Sequence, residues 1–248
     1  MTSRTEMAAR NRPTAVRLVA WNANQGLAQK ADRLLALRPD IAVVAECADA
    51  AELHGLERIG WTGQNRSKGL GVFARPELNG SVDPSWDPGR EWFLPVRFDA
   101  DRLDLLAVWA MNHRGGEGAK KGRTHRALEH YAPFLARRRA IVIGDFNDNV
   151  RWDTGTYPAF AQTTALLGSA GYANVYYART SQEPGSESIG SLYLYRHADR
   201  PYLIDHAFIP EAWLPVVREF GLGAPEEWLD LSDHVPLVLE LGVPAGAT

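Results

Sequence analysis

The chain has 248 residues, a length that suits one large domain with a sizeable hydrophobic core. Its composition, 45% hydrophobic and 23% charged, is that of a globular protein. The formal net charge of −3 argues against binding of nucleic acid through bulk positive charge, although a metal ion and a local basic rim could still do that work. A single cysteine excludes an intrachain disulfide.

The two ends of the chain are expected to lie outside the folded domain. Residues 1–14 lack the apolar core of a secretory signal, and no apolar run reaches the roughly 20 residues that cross a bilayer. We therefore predict a disordered start at 1–14, one domain over 15–242 and a C-terminal tail at 243–248. The predicted location is cytoplasmic, without membrane insertion.

The first part of the chain is predicted to form a strand, a helix and a second strand. Residues 16–20 alternate in hydropathy and run into Asn22 and Asn24, and residues 28–37 have apolar side chains at helical spacing. Residues 41–45 are an apolar run, typical of a buried strand, and are followed by Glu46. This pattern places two amides and a carboxylate at strand ends of one sheet.

The middle of the chain is predicted to be mainly strand, whereas residues 53–61 fit neither pattern. Three segments have strand composition: 69–75, 92–98 and 102–111. The last of them opens onto His113, and a basic stretch then leads into a predicted helix over 124–138.

Residues 141–149 read Ile-Val-Ile-Gly-Asp-Phe-Asn-Asp-Asn and form the centre of the predicted site. Three β-branched residues indicate a short buried strand, after which Asp145 and Asn147 project to the same side if the chain stays extended. Taken alone, this polar run also fits a simple turn, because Asp and Asn favour turns. The polar ends of the other strands favour the functional interpretation.

The last part of the chain is predicted to form a short helix over 160–167, an exposed loop over 180–191 and three strands. These strands are 202–209, 213–220 and 237–241. Asp205 lies in the first of them, and Asp233 and His234 precede the last. Many strands with two or three helices predict two sheets packed face to face with helices outside.

Polar side chains at five strand ends are expected to converge at one rim of this sandwich, where a cleft is the default place for chemistry. They are Asn22 with Asn24, Glu46, His113, Asp145 with Asn147, and Asp233 with His234. Oxygen ligands without a Cys or His cluster favour magnesium or manganese over zinc. One or two carboxylates suffice for magnesium, which keeps waters and binds substrate phosphate.

The order of the motifs resembles that of the endonuclease/exonuclease/phosphatase superfamily, which includes DNase I-like nucleases, abasic-site endonucleases, sphingomyelinases and inositol-phosphate phosphatases. The matching segments are W-N-A-N, A-E-C, N-H, G-D-F-N, I-D-H-A-F and S-D-H-V-P, over roughly residues 16–241. The resemblance implies a DNase I-like fold, a four-layered α/β sandwich of two mainly antiparallel sheets. It also implies metal-dependent cleavage of a phosphoester.

The resemblance assigns metal-binding and water-activating roles to five matched residues. Glu46 resembles the principal metal ligand, Asn22 the amide that helps to hold metal or phosphate, and Asp233 a second metal contact. Asp145 resembles the carboxylate that positions or deprotonates the attacking water. Asn147 resembles the amide beside it that holds a phosphate oxygen.

The resemblance also assigns roles to two histidines. His234 resembles the imidazole at the reacting phosphate, and Asp205 the carboxylate that fixes its tautomer. His113 matches the histidine of the DNase I-like and sphingomyelinase-like branches, as a phosphate donor or leaving-group acid. Lys68 lies where the DNase I-like branch has a glutamate, and is either a phosphate contact or a solvated turn residue. His206 is interpreted as a packing residue.

These assignments predict a phosphoric ester hydrolase dependent on Mg²⁺ or Mn²⁺, and specifically a phosphodiesterase or nuclease that acts on DNA or RNA by in-line attack of water. Candidates for gripping a phosphate backbone and stacking a base, or alternatively for a solvated helix start and core packing, are Lys120, Lys121, Arg123, Arg126 and Trp152. Two rival interpretations stay open. One is a phosphatase or phosphodiesterase for a small phosphorylated metabolite or lipid headgroup, and the other is a catalytically silent binding module.

Overall fold

Two six-stranded sheets account for most of the described chain. The computed structural model describes residues 15–90, 92–99, 103–110, 123–137, 139–153 and 159–242. Its strands are β1 (Ala15–Asn22), β2 (Ile41–Cys47), β3 (Glu57–Asn65), β4 (Lys68–Ala74), β5 (Gly80–Val82), β6 (Phe93–Phe98), β7 (Leu103–Trp109), β8 (Ala140–Asp145), β9 (Tyr172–Asn174), β10 (Leu192–Tyr193), β11 (Pro201–Tyr202), β12 (Asp205–Pro210), β13 (Val217–Leu222) and β14 (Leu237–Gly242).

The described helices are short and lie on the connections between strands. The α-helices are α1 (Ala31–Leu35), α2 (Arg123–His130), α3 (Ala132–Leu135), α4 (Ala159–Ser169), α5 (Val175–Thr180) and α6 (Pro225–Trp228). The 3-10 segments are Leu27–Gln29, Pro76–Leu78, Pro88–Arg90, Val150–Trp152, Leu194–Arg196 and Glu211–Val216. None of the described helices is long and apolar enough to cross a membrane.

The two sheets have matching topologies. The first has the order β13-β14-β1-β2-β4-β3 and the second β5-β6-β7-β8-β12-β9, while β10 and β11 pair separately. Each large sheet has one parallel pair at its centre, β1 with β2 and β7 with β8, and its other neighbours are antiparallel. A parallel pair needs a crossover, and α1 and α2–α3 lie on those crossovers. The predicted pair of mainly antiparallel sheets is confirmed.

Three apolar clusters separate four layers. The inner faces of the two sheets, for example Leu18, Val43, Ile141 and Leu239, form the cluster between them. A second cluster lies between the outer face of the β7–β8 sheet and the helices α2–α4, and a third lies between the β1–β2 sheet and the helices α1 and α6. The predicted α/β/β/α sandwich is thus confirmed, and its central strands are buried on both faces.

Three local predictions need correction. The helix expected over 124–138 is interrupted at Tyr131, and Pro133 near the start of α3 has no N–H to continue the first helix. The strand expected over 213–220 is wrong in its first half, because Glu211–Val216 is a 3-10 segment that contains Pro215. The helix expected over 28–37 is reduced to a 3-10 turn and the five residues of α1.

The stretch 53–61 and the two ends of the chain complete the comparison with the predicted elements. The stretch 53–61 leads into β3, which is antiparallel to β4. The predictions for 1–14 and 243–248 concern residues outside the described part of the chain.

Gly144 allows β8 to approach β7 closely, since its φ is +139° and a Cβ there would lie 2.0 Å from the Val108 carbonyl oxygen. This close approach directly precedes Asp145.

Candidate active site

The seam between the two sheets collects most of the predicted site residues at one end of the sandwich. Asn22 ends β1 and Glu46 lies near the end of β2, both in the first sheet. Asp145 ends β8 and Asp205 begins β12, both in the second sheet, where they are paired directly in register. His234 precedes β14 of the first sheet and closes the group from that side.

The amide of Asn22 joins the two sheets. Its Nδ2 donates to Asp145 Oδ2 at 3.0 Å and lies 3.3 Å from Glu46 Oε1. Its Oδ1 accepts the backbone N–H of Asn24 at 3.0 Å, which fixes the orientation of the amide. One buried side chain thereby holds a carboxylate from each sheet at a fixed separation.

A β-bulge sets the direction of Glu46. The register between β2 and β4 shifts between Ala45 and Cys47, and Glu46 has a φ of +57°. Bulges re-aim side chains and are frequent beside active sites. The second carboxylate oxygen of Glu46, Oε2, is 3.1 Å from the ammonium group of Lys68 at the start of β4. Lys68 is therefore an ion-pair partner of Glu46 rather than a solvated turn residue.

His234 and Asp205 form a buried hydrogen-bonded pair. His234 Nδ1 lies 2.8 Å from Asp205 Oδ2, and the two residues are 5% and 1% exposed. Because the carboxylate can only accept, Nδ1 carries the proton and Nε2 is left for another partner. The other oxygen, Asp205 Oδ1, is buried and has no hydrogen-bond partner among the described residues.

Two serines and an indole fix the backbone of this pair. Ser191 Oγ accepts the N–H groups of Ile204 and Asp205 at 3.0 and 2.8 Å. Ser232 Oγ donates to the Asn22 carbonyl at 2.8 Å. The Trp21 indole N–H donates to the His234 carbonyl at 2.9 Å. Sequence analysis missed Ser191 altogether, and only the position of Ser232 beside Asp233 and His234 could have drawn attention to it.

Burial and like charge govern the ionisation of the site. Burial raises the pKa of Asp145 to about 7, and the carboxylate of Asp205 adds to this rise, although His234 and Asn22 oppose it. Burial alone would lower the pKa of His234, but the carboxylates of Asp205 and Asp145 outweigh it and raise this pKa to about 10. The imidazole is therefore held in its charged form. Its single positive charge faces two carboxyl groups, those of Asp145 and Asp205.

The donor set can hold a metal ion. Asp145, Asp205 and His234 bring oxygen and nitrogen atoms within 4.8 Å of one another, and the carboxylates are the available ligands while the imidazole is charged. Glu46 is joined to the same group through the Asn22 amide. An oxygen-rich set with a partnerless buried carboxylate oxygen suits a hard divalent cation such as Mg²⁺ or Mn²⁺. A cation there would also satisfy the excess of buried negative charge.

Asn147, Asp233 and His206 also lie among the described residues. Asn147 has a φ of +52°, which Asn tolerates well, and its backbone N–H donates to Asp145 Oδ1 at 2.8 Å. Asp233 accepts a hydrogen bond from Asn24 Nδ2 at 3.0 Å. His206 is buried and stacks on Phe160 with ring centroids 4.6 Å apart.

Several predicted contacts lie outside the described residues. His113, Lys120 and Lys121 are among residues 111–122, which the structure does not describe, and the side chain of Arg123 is likewise outside it. Arg126 is exposed on α2. Trp152 packs against Tyr202 with ring centroids 5.1 Å apart.

Comparison with known proteins identifies the fold. No protein-family model and no curated protein sequence matches the chain. Solved structures do match, among them the 3′ phosphatase NExo from Neisseria bound to product DNA hairpin, with TM-score 0.71, 17% identity and coverage of 91% of this chain and 99% of that one. An AP endonuclease from Archaeoglobus fulgidus has TM-score 0.68, 15% identity and coverage of 90% and 98%.

A third match is the endonuclease/exonuclease/phosphatase from Bacteroides vulgatus, with TM-score 0.63, 19% identity and coverage of 94% of this chain and 100% of that one. At such identities the likeness establishes the fold. The chain has the DNase I-like fold of the endonuclease/exonuclease/phosphatase superfamily, as its motifs implied.

Proposed function

We propose that this chain is a divalent-metal-dependent phosphoesterase that hydrolyses phosphodiester bonds of nucleic acid by in-line attack of water. The observation that carries the proposal is the buried group of Asp145, Asp205 and His234, tied to Glu46 through Asn22. A phosphodiester needs a positioned water, positive charge on its equatorial oxygens and help for the leaving alkoxide. The fold supports the proposal by analogy, because structures of the same fold include a 3′ phosphatase and an AP endonuclease.

The metal would be held by carboxylates at the seam between the sheets. Glu46 and Asp145 offer oxygen ligands there, with the Asn22 amide between them, and Asp233, which accepts a hydrogen bond from Asn24, is proposed as a further metal contact. A divalent cation bound at this position supplies Lewis-acid stabilisation of charge on the phosphate oxygens. Lys68, now paired with Glu46, is placed to add positive charge next to it.

The other groups act on the water and the phosphate. Asp145 accepts a proton from the attacking water or orients it, and its Oδ1 is kept in place by the N–H of Asn147. The His234 imidazolium presents Nε2 to a phosphate oxygen, because Nδ1 is bound to Asp205. Asp205 does not touch the substrate in this scheme, and acts by fixing the ring.

A substrate panel tests the proposal. Purified protein is incubated with plasmid DNA, single-stranded DNA, RNA, bis(4-nitrophenyl) phosphate and inositol phosphates, each with Mg²⁺, Mn²⁺ or EDTA. We expect hydrolysis of nucleic acid and of the diaryl diester that EDTA abolishes and that His234→Ala removes. Absence of hydrolysis of every substrate with both metals would reject the enzyme and leave the silent binding module.

The rival substrate class is separated by salt. Tracking of a phosphate backbone makes affinity fall steeply as salt rises, whereas a single small phosphate gives a shallow dependence. A steep fall of kcat/KM for the oligonucleotide is therefore expected. Preferential hydrolysis of inositol phosphates with a shallow salt dependence would favour the small-metabolite interpretation instead.

A further inference from the structure

A cavity of about 380 Å³ has none of the residues of the proposed reaction in its lining. Its lining includes Gln64, Arg90, Trp92, Phe93 and Arg126. We propose that this cavity, called here the flanking subsite, binds a backbone phosphate of a nucleic-acid strand at a distance from the bond that is cleaved. This inference rests on the proposed function and names the form of its substrate: a strand of several nucleotides.

The flanking subsite lies at the same end of the sandwich as the active site. The N–H of Trp109 donates to the Trp92 carbonyl at 2.9 Å, and Trp109 is paired in register with Asp145. Trp92 is therefore two strand positions from Asp145, or about 10 Å at the usual spacing of neighbouring strands. A helical strand rises about 3.4 Å per nucleotide, so this gap corresponds to about three nucleotides. A mononucleotide bound for hydrolysis does not reach it.

Two guanidinium groups from different elements give the flanking subsite its charge. Arg126 is exposed on α2, and Arg90 ends the 3-10 segment Pro88–Arg90. Among the described residues, Arg90 has one loose ion pair, with Nε 3.6 Å from Asp87 Oδ2, and this Nε is buried without a hydrogen-bond partner there. The same Asp87 side chain already accepts the N–H of Gly89 at 2.8 Å. Guanidinium forks match phosphate oxygens in geometry and charge.

Cationic and aromatic side chains join the flanking subsite to the active site. The ring of Trp92 meets the ring of Trp109 edge to face, with centroids 5.0 Å apart. Lys68 Nζ lies 5.6 Å from the Trp109 ring centroid and 3.1 Å from Glu46. Trp109 is 2% exposed, so Trp92 is the one of these two rings available to stack a base beside the cationic groups, as in sites that bind single-stranded nucleic acid. Because the whole chain carries a net charge of −3, this positive line is local and can set the path of the strand.

The test measures binding without cleavage. Anisotropy of a fluorescein-labelled oligonucleotide and of a labelled dinucleotide is recorded in EDTA over a range of salt concentrations, for wild type and for the double variant Arg90→Gln/Arg126→Gln. Arg38→Gln is the matched control, because Arg38 is exposed before β2 and so lies at the opposite end of that strand from Glu46. Thermal melting checks that all variants are folded.

The double variant should bind the oligonucleotide about tenfold more weakly or worse, the loss expected from charge-assisted hydrogen bonds. Its salt slope should be shallower by about 1 for each arginine removed. Binding of the dinucleotide should not change, and Arg38→Gln should match wild type in both assays. Wild-type oligonucleotide affinity and salt slope in the double variant would overturn the flanking subsite.

Hydrolysis of bis(4-nitrophenyl) phosphate separates this inference from the proposed function, since that diester is too short to reach the flanking subsite. If wild type hydrolyses it and the arginines do not affect oligonucleotide binding, the flanking subsite fails and the function stands. If wild type hydrolyses neither this diester nor any other substrate of the panel but the arginines govern binding, the proposed function fails and the flanking subsite stands as a binding site.

Discussion

Two buried carboxylate clusters lie at opposite ends of the same strands, and they are neutralised in different ways. At the start of β7 and β8, Asp83 and Asp104 are each 1% exposed and face three arginines: Arg97, Arg137 and Arg139. At the end of β8, about 17 Å away at strand spacing, Asp145 and Asp205 share one imidazole. The fold is thus able to surround buried carboxylates with guanidinium groups, whereas at the site end no guanidinium group of the described residues forms an ion pair with Asp145 or Asp205.

The ionisation of the two clusters reflects this difference. Burial alone would raise the pKa of Asp83, but hydrogen bonds from Ser85, Arg137 and Arg97 hold it well below its usual range. At the site, burial and the second carboxylate raise the pKa of Asp145 to about 7. The first cluster is balanced by guanidinium charge, although Asp104 Oδ1, like Asp205 Oδ1, has no hydrogen-bond partner among the described residues. The second cluster has, among those residues, a deficit of positive charge that a divalent cation would fill.

Loss of Asp145 should produce the largest effect on activity. Asp145→Ala removes the group that acts on the attacking water, so we expect kcat for bis(4-nitrophenyl) phosphate with Mg²⁺ to fall by about 10²–10⁴-fold or more. Asp83→Ala is the matched control at the other cluster, and its folded fraction should retain the wild-type kcat. Equal loss of activity in both variants would mean that the Asp83 cluster is as important for activity as the Asp145 cluster, which would contradict a purely structural role for Asp83.

Loss of Asp83 should produce the largest effect on stability. Asp83→Ala leaves Arg97 and Arg137 facing no carboxylate at this position, and should lower the free energy of unfolding by about 2–4 kcal/mol, a value reduced because both arginines are partly exposed. Urea denaturation in EDTA measures it. If Asp83→Ala is as stable as wild type, the ion pairs of Asp83 with Arg97 and Arg137 contribute nothing to the free energy of unfolding, and the proposed structural role of this cluster is wrong.

Metal should stabilise the protein through the site cluster alone. Binding to the folded state adds about 2.7 kcal/mol when the metal concentration is 100 times the dissociation constant. The melting temperature of wild type should therefore rise with Mn²⁺ or Mg²⁺. Asp83→Ala, although less stable, should show the same rise, whereas Glu46→Gln should lose most of it. A rise that survives in Glu46→Gln would place the metal elsewhere.

A pH dependence of opposite sign is expected at the two clusters, and it is the smallest of these effects when measured over a single pH unit. For Asp145 the pKa rises from 3.8 to about 7 on folding, so its contribution to stability is full below pH 3.8 and is lost as the pH rises through 7. In EDTA, wild type should lose stability relative to Asp145→Ala across this window, by at most about 1.4 kcal/mol per pH unit. Taking the difference between the two proteins removes the titration of groups that do not interact with Asp145, whereas that of His234, whose pKa Asp145 raises, does not cancel.

Asp83 gives the contrasting case. Its folded-state pKa is lowered, so its contribution is present above the unfolded value of 3.8 and is lost as the pH falls through the folded value. The destabilisation caused by Asp83→Ala should therefore be larger at neutral pH than in acid. Melting curves over pH for the two variants check both signs, and curves that run parallel to wild type would contradict them.

The sequence predicted the parts of this site that depend on local pattern. Asp145 and Asn22 follow β-rich apolar runs, so their places at strand ends could be inferred from periodicity, and the motif order implied the fold. The ion pair of Glu46 with Lys68 could not be predicted from the sequence, because it depends on a bulge in β2 and on the pairing of β2 with β4. Periodicity carries no signal for such a bulge.

The second cluster and the serines were also beyond sequence analysis. Asp83, Asp104 and Arg137 are separated along the chain and meet only when β5, β6, β7 and α3 are assembled. Ser191 ends the stretch 180–191, which was predicted to be an exposed loop; this prediction is wrong at Ser191, which is fully buried and accepts the N–H of Asp205. Contacts of this kind are set by tertiary packing, and a single sequence does not contain their register.

The most direct test of the account is an anomalous difference map from crystals soaked in Mn²⁺. We expect a manganese peak at the seam between the sheets, within ligand distance of Glu46 and of the Asp145 cluster, and no peak at Asp83 and Asp104. A map without manganese at the seam, or with manganese at the arginine-bound cluster instead, would contradict it.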